Sequence, residues 1–223
     1  MKRLIKALKS IDHRLLAIWL LIFTSFASLD LVATNSLPVT IIKLFGLFLC
    51  LTYVVIFYRS DLPLVLAFTA TFTADVMLAI NSSSLFGIFT FIIGQLLHFI
   101  RLKGIHLKSR KIAVVAAGIA AYFIIVAAFD KLAIYLLAIP YAVLLLLNLS
   151  LSLKWYLSSS SKKATFAFYG FAFFFLCDIC VAIAFLAKIP FFDYLDWIFY
   201  YPSQVLLSIS SKKVAKHFKT VIK

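Results

Sequence analysis

The chain has 223 residues, of which 65% are hydrophobic and 13% charged, and its eight acidic residues are all aspartate. Soluble domains are about 45–50% apolar and about 25% charged, so the composition excludes a water-soluble enzyme and points to an all-α, polytopic membrane protein with one helical bundle and no soluble domain. A net charge of +14 would suit a nucleic-acid binder, but in a membrane protein Lys and Arg gather on the cytoplasmic side, and no nucleic-acid partner is expected.

Met1 to Arg14 is a basic arm carrying Lys2, Arg3, Lys6, Lys9 and Arg14. It reads as a cytoplasmic topology signal, with anionic-lipid binding as its functional counterpart. The first span runs from Leu15 to Thr34, long enough to cross a bilayer as a helix. Ser25-Phe26-Ala27 has the small residues of a signal-peptidase site, but the apolar run continues past it, which favours a retained span. The second span is Pro38 to Tyr58, the third Leu62 to Ile80 and the fourth Leu85 to Ile100. The third and fourth are joined by the polar turn Asn81-Ser82-Ser83-Ser84. A basic loop with Arg101, Lys103, Lys108, Arg110 and Lys111 leads to a fifth span, Ile112 to Phe129. Asp130-Lys131 turns into a sixth that ends near Leu153. After the polar loop Lys154 to Lys163 come the seventh, Ala164 to Ala187, the loop Lys188 to Asp193, and the eighth, Tyr194 to Ser210. With about eight spans and both termini cytoplasmic, every Lys and Arg lies inside except Lys43, Lys131 and Lys188, as the positive-inside rule requires. The domain reading is therefore a basic arm over 1–14, a single bundle over 15–211 and a basic tail over 212–223. The location is multi-pass in a membrane, the plasma (inner) membrane if the source is bacterial.

Several spans carry polar groups that lipid excludes. A carboxylate near mid-membrane costs several kcal/mol on most scales, so it marks a site or a structural partner. Asp75 lies in the outer half of span three and Asp178 near the middle of span seven. Gly87, Phe91, Gly94, Gln95 and His98 share one face of span four. Tyr141, Leu145, Asn148 and Ser152 share one of span six, and Trp197, Tyr201, Gln204, Ser208 and Ser211 one of span eight. Small residues let helices approach and polar ones bond across them, so several helices turn a polar stripe inward, as around a hydrated pocket. Each group also has a plainer role. Gln204, Asn148 and His98 serve as interhelical hydrogen-bond partners, Lys43 snorkels to an interface, and Asp30 pairs with Lys43. Two aspartates on separate core helices fit such roles least well, because burying both without a function is expensive.

Cys50, Cys177 and Cys180 all fall in apolar runs. The Cys177–Cys180 spacing is that of redox or metal pairs, but on an embedded helix with no second pair nearby these residues read as small packing groups, and no disulfide is expected. Only His98 of the four histidines lies in a span, so a three-His zinc site is not expected. Nor is a serine nucleophile, since no GxSxG elbow is present. No metal and no cofactor are expected.

Ala74-Asp75 followed by Gly87, Phe91, Gly94 and His98, then Ile139-Pro140-Tyr141, Leu176-Cys177-Asp178 and Phe199-Tyr200-Tyr201-Pro202-Ser203-Gln204 together resemble the YhhN-type lysoplasmalogenase family. The resemblance runs from Thr40 to Ser210 in order and spacing, and Lys43 matches the family's early lysine. Three positions depart from its pattern. Ala74 stands where Gly is usual, Cys177 where Ser is usual, and Arg101 where an aromatic follows the histidine. The first two keep space beside each aspartate, whereas Arg101 alters the cytoplasmic end of the motif.

The resemblance implies hydrolysis of the vinyl ether of a lysophospholipid, giving a fatty aldehyde and a glycerophospho-alcohol. Protonation on carbon gives an oxocarbenium ion, to which water adds. One protonated acid and one base are needed, the electrostatic problem that glycosidases solve with two carboxyls. On this reading Asp75 and Asp178 are the catalytic pair, and Lys43, Tyr141, His98, Tyr201 and Gln204 bind substrate or orient water. The partners are a lysophospholipid and membrane lipids. Counting rise along the helices sets His98 toward the cytoplasm and Asp75 toward the outside, so the two are not expected to touch. The residues alone also admit a small proton-coupled transporter or a lipid-binding membrane protein, since intramembrane aspartates suit either.

Overall fold

The computed structural model describes residues 3, 4, 8, 11, 13–32, 36–81, 84–104, 118, 122, 123, 126 and 132–211. Among these the ordered elements are helices: α1 His13–Val32, α2 Leu37–Tyr58, α3 Leu62–Ile80, α4 Leu85–Lys103, α5 Ala133–Ser158, α6 Lys162–Ala187 and α7 Pro190–Ser208. Five of them, α2 to α6, are long and apolar enough to cross a membrane, the composition of an integral membrane protein. The apolar stretch of α1, Leu15–Leu31, is shorter. The fifth span expected from the sequence, Ile112 to Phe129, lies outside the described residues except for Gly118, Tyr122, Phe123 and Val126. The Asp130-Lys131 turn, most of the basic arm and the tail over 212–223 also lie outside them.

Local chemistry sets the ends of the helices. Pro38, Pro63 and Pro190 each stand in a first turn, where the missing N–H costs nothing and the ring presets the backbone. The Ser84 hydroxyl accepts from the Gly87 N–H at 3.2 Å, and Gly104 closes α4 in the left-handed region at φ 66°. Lys188 ends α6 at φ 53°, and α7 begins two residues later. The helix expected as the eighth span therefore starts at Pro190 and not at Tyr194. The sixth expected span likewise runs on to Ser158, because the apolar Trp155-Tyr156-Leu157 extends the helix. What reads as a ten-residue loop contracts to 159–161.

Consecutive helices pack against each other from α1 to α4, and again from α5 to α7. α4 packs on α5, and α7 returns to α1 and α2, closing the ring. The main core lies between α1, α2, α3, α6 and α7, around Phe26, Leu47, Phe68, Phe171, Phe174 and Tyr201. A smaller cluster of Ile92, Val126, Ala133 and Leu137 joins α4 to α5. Large apolar residues such as Leu21, Leu37, Ile80, Ile139 and Leu186 face outward. That arrangement suits lipid, which satisfies no backbone polar group and so demands closed helices. Close approach requires Gly170, where an added Cβ would fall 2.8 Å from Leu207, and Gly46, where it would meet the Tyr201 ring at 2.5 Å.

Two helices carry an internal proline. In α5, Pro140 has no N–H for the carbonyl of Leu136, and that oxygen accepts instead from the Tyr122 hydroxyl at 2.7 Å. In α7, Pro202 similarly releases the carbonyl of Ile198. Each proline lies beside tyrosines, Tyr141 in the first case and Tyr200-Tyr201 in the second.

Candidate active site

Ala74 and Asp75 lie on the inner face of α3, Asp75 only 8% exposed. Its carboxyl takes the Tyr200 hydroxyl on both oxygens, at 2.9 Å to Oδ1 and 2.7 Å to Oδ2. Asp178, half-buried on α6, takes the Tyr141 hydroxyl on Oδ2 at 2.7 Å. Four helices thus contribute two aspartates and two phenols, paired one to one. Phe91 of α4 stands between the pairs, with its ring centre 6.2 Å from Tyr141 and 6.4 Å from Tyr200, both edge-on. Asp75 and Asp178 both lie within electrostatic reach of Tyr141 and of the Cys177 thiol. The two carboxyls therefore belong to one site within the bundle.

Gln204 is buried one turn along α7 from Tyr200. It lines a small cavity together with Asp75, Thr71, Leu47, Phe68 and Phe72. Behind the site, the Asn148 amide donates to the Gln95 carbonyl and to its side-chain Oε1, both at 2.9 Å. This ties α5 to α4, the interhelical role that the sequence admits for Asn148.

The other expected site residues sit elsewhere. Lys43 makes an ion pair with Asp30 at 2.7 Å, both side chains buried, and its ammonium lies 4.7 Å from the centre of the Trp197 ring. Tyr201 points away from the aspartates. Its ring packs on Phe26 and Phe23, and its hydroxyl is buried without a hydrogen-bond partner. His98 is wedged edge-on between Phe171 and Phe68 at 5.3 and 6.1 Å. It lies about 10 Å down α4 from Phe91, by helical rise, so it does not meet the carboxyl pair. Its Nδ1 is buried without a partner.

Two residues of the site carry no distinguishing signal in the sequence. Tyr200 stands within the motif Phe199 to Gln204, but the polar stripe of the eighth span favours its neighbour Tyr201. Successive residues differ by about 100° around a helix, and only tertiary packing decides which of two adjacent tyrosines faces Asp75. Phe91 was placed on the inward face of span four, but nothing in its type distinguished it from other phenylalanines.

Arg101 occupies the position expected to be aromatic. It donates to the Ser210 hydroxyl at 2.6 Å and lies 4.0 Å from Asp61, whose other contact is the Ser211 hydroxyl at 2.6 Å. Lys163 donates to the Ile209 carbonyl at 2.8 Å and to the Tyr58 hydroxyl at 2.7 Å. Two cations thus meet the carbonyl end of α7, where the helix dipole favours positive charge. The departure from the motif therefore serves to fasten α4 to the end of α7, as Lys163 fastens α6.

Residues 38–211 match the model of the YhhN family. The chain belongs to the YhhN family. The matched stretch contains both aspartates, both phenols, Phe91 and Gln204, and agrees with the extent of the resemblance read from the sequence. No curated protein and no solved structure matches the chain. Within this YhhN protein, α1 and its Asp30 lie outside the matched stretch. The ion pair to Lys43 therefore joins the family core to a helix that the family model does not cover. The three cysteines are free thiols, and among the described residues no three His, Cys, Asp or Glu side chains gather as metal ligands would.

Proposed function

We propose that this YhhN protein is a lysoplasmalogenase-like hydrolase. It cleaves the vinyl-ether bond of a lysophospholipid to a fatty aldehyde and a glycerophospho-alcohol, with Asp75 and Asp178 as its acid/base pair. The observation that supports this reading is the matched pair of carboxyls. Each is held by one tyrosine hydroxyl, and both flank Phe91 inside the bundle. A structural polar group needs one partner; two carboxyls converging from α3 and α6 suit a reaction that develops positive charge between them. The half-buried Asp178 is flanked on α6 by the outward-facing Leu176, Ile179 and Val181, so an alkyl chain in the lipid has a short route to it. The same proposal carries eight spans with both termini cytoplasmic, which sets the carboxyl pair toward the outer leaflet.

The test is aldehyde release from a vinyl-ether lysophospholipid by the purified protein in detergent. Wild type releases aldehyde and leaves the ester analogue intact. Asp75→Asn and Asp178→Asn, folded as judged by gel filtration, each lose about 10²- to 10⁴-fold, the usual contribution of a positioned acid or base. Full activity in both variants would sink the proposal.

A further inference from the structure

The two carboxyls are not equivalent, and their surroundings assign their roles. Asp75 lines the cavity between α2, α3 and α7, with Gln204 and Thr71 as the other polar walls and Leu47, Phe68 and Phe72 as the apolar ones. The space this cavity offers the centre of a water molecule is about 10 Å³, close to the smallest that holds one water, and a buried water needs two to four polar partners. A carboxyl, an amide and a hydroxyl supply three. Asp178 does not line this space. It lies on the lipid side, beside residues that face outward, and Tyr141 engages a single oxygen of its carboxyl. The single Tyr200 hydroxyl lies within hydrogen-bond distance of both oxygens of Asp75.

We infer that the cavity is the seat of the hydrolytic water, that Asp75 is the base that activates it with Gln204 and Thr71 orienting it, and that Asp178 is the acid. This rests on the hydrolase reading above. The regiochemistry agrees. In a vinyl ether the proton goes to the carbon remote from oxygen, on the chain side, and water adds to the carbon that bears oxygen. Asp178 gives its proton to the remote carbon; the π pair forms the new C–H bond, and an oxygen lone pair makes the oxocarbenium. The water oxygen bonds to that cation while its proton passes to Asp75. In the collapse of the hemiacetal Asp75 returns this proton to the departing glycerol oxygen, the C–O bond breaks, and the hydroxyl proton goes to Asp178. One water is consumed per aldehyde and alcohol formed, and both carboxyls are reset.

The experiment is trapping with azide, using the full chain in detergent and a vinyl-ether lysophospholipid. Asp75→Ala widens the water cavity and removes the base but leaves the acid. Added azide then bonds to the oxocarbenium carbon, and an azido-ether adduct of the substrate appears by mass spectrometry, with substrate consumption at least tenfold above that without azide. Asp178→Ala forms no cation and yields no adduct. As a milder pair of variants, Gln204→Leu and Thr71→Val keep both carboxyls. With azide present, each raises the adduct-to-aldehyde ratio severalfold over wild type, because water is misplaced while protonation persists. If wild type releases aldehyde but the adduct comes from Asp178→Ala, or the ratio is unmoved in both milder variants, the assignment falls alone. If wild type releases no aldehyde, the hydrolase reading falls with it.

Discussion

Tyr200 and Tyr201 are chemically identical neighbours placed in opposite environments. The Tyr200 hydroxyl binds the buried Asp75, whereas that of Tyr201 is buried among rings with no partner. A hydrogen bond to a charged group is worth about 1.5–3 kcal/mol, so Tyr200→Phe should lower turnover by about 10- to 100-fold. The loss in Tyr201→Phe should be smaller, because no bond is removed. Initial rates of aldehyde release for the two variants decide the order. The sequence marks Asp75 and Asp178, because each is the one carboxyl in its apolar run. It could not choose between adjacent tyrosines, since the choice depends on the rotation of α7 against α3.

Among the elements, α1 and α2 are joined by the Asp30–Lys43 pair, which lies out of reach of water. Removing one partner of a buried ion pair strands the other charge and costs about 3–5 kcal/mol, while replacing both with apolar groups of similar volume is often neutral. Lys43→Met should therefore lower the unfolding temperature in detergent, and adding Asp30→Leu should restore most of it. A double variant less stable than either single one would contradict this account. α6 and α7 pack closely, with Gly170 against Leu207. Gly170→Ala should destabilise by about 1–3 kcal/mol, the usual cost of overpacking, read as a lower melting temperature. Helix ends were legible where capping chemistry is local, as with Pro63 and Asn81 bounding α3. The start of α7 differs from the expected Tyr194, because Pro190 opens the helix within what reads as the loop Lys188 to Asp193.

For the whole molecule, the arrangement of charge and the closed ring of helices make a testable topology. With eight spans and cytoplasmic termini, position 160 lies inside and position 188 outside. Both residues are exposed in the structure. In a background with the three native cysteines replaced, Lys188→Cys should react with an impermeant thiol reagent added outside intact cells, and Ser160→Cys only after permeabilisation. Equal labelling of both from one side would overturn the topology.

By itself the sequence determined the solvent, the helical class, the family and the two carboxyls. Each of these is written in the local contrast between a residue and its neighbours: apolar run against basic loop, aspartate against leucine. The pairing of Lys43 with Asp30 was already legible in the sequence, whereas only the tertiary structure decided which tyrosine holds which aspartate and that Arg101 fastens the end of α7. It alone decided, too, that Asp75 and not Asp178 borders the cavity with Gln204. These facts depend on helix rotation and on contacts between residues far apart in the chain. A periodic pattern gives the inward face of a helix but not the partner across from it, because packing between helices fixes rotation within a face while hydrophobicity fixes only the face.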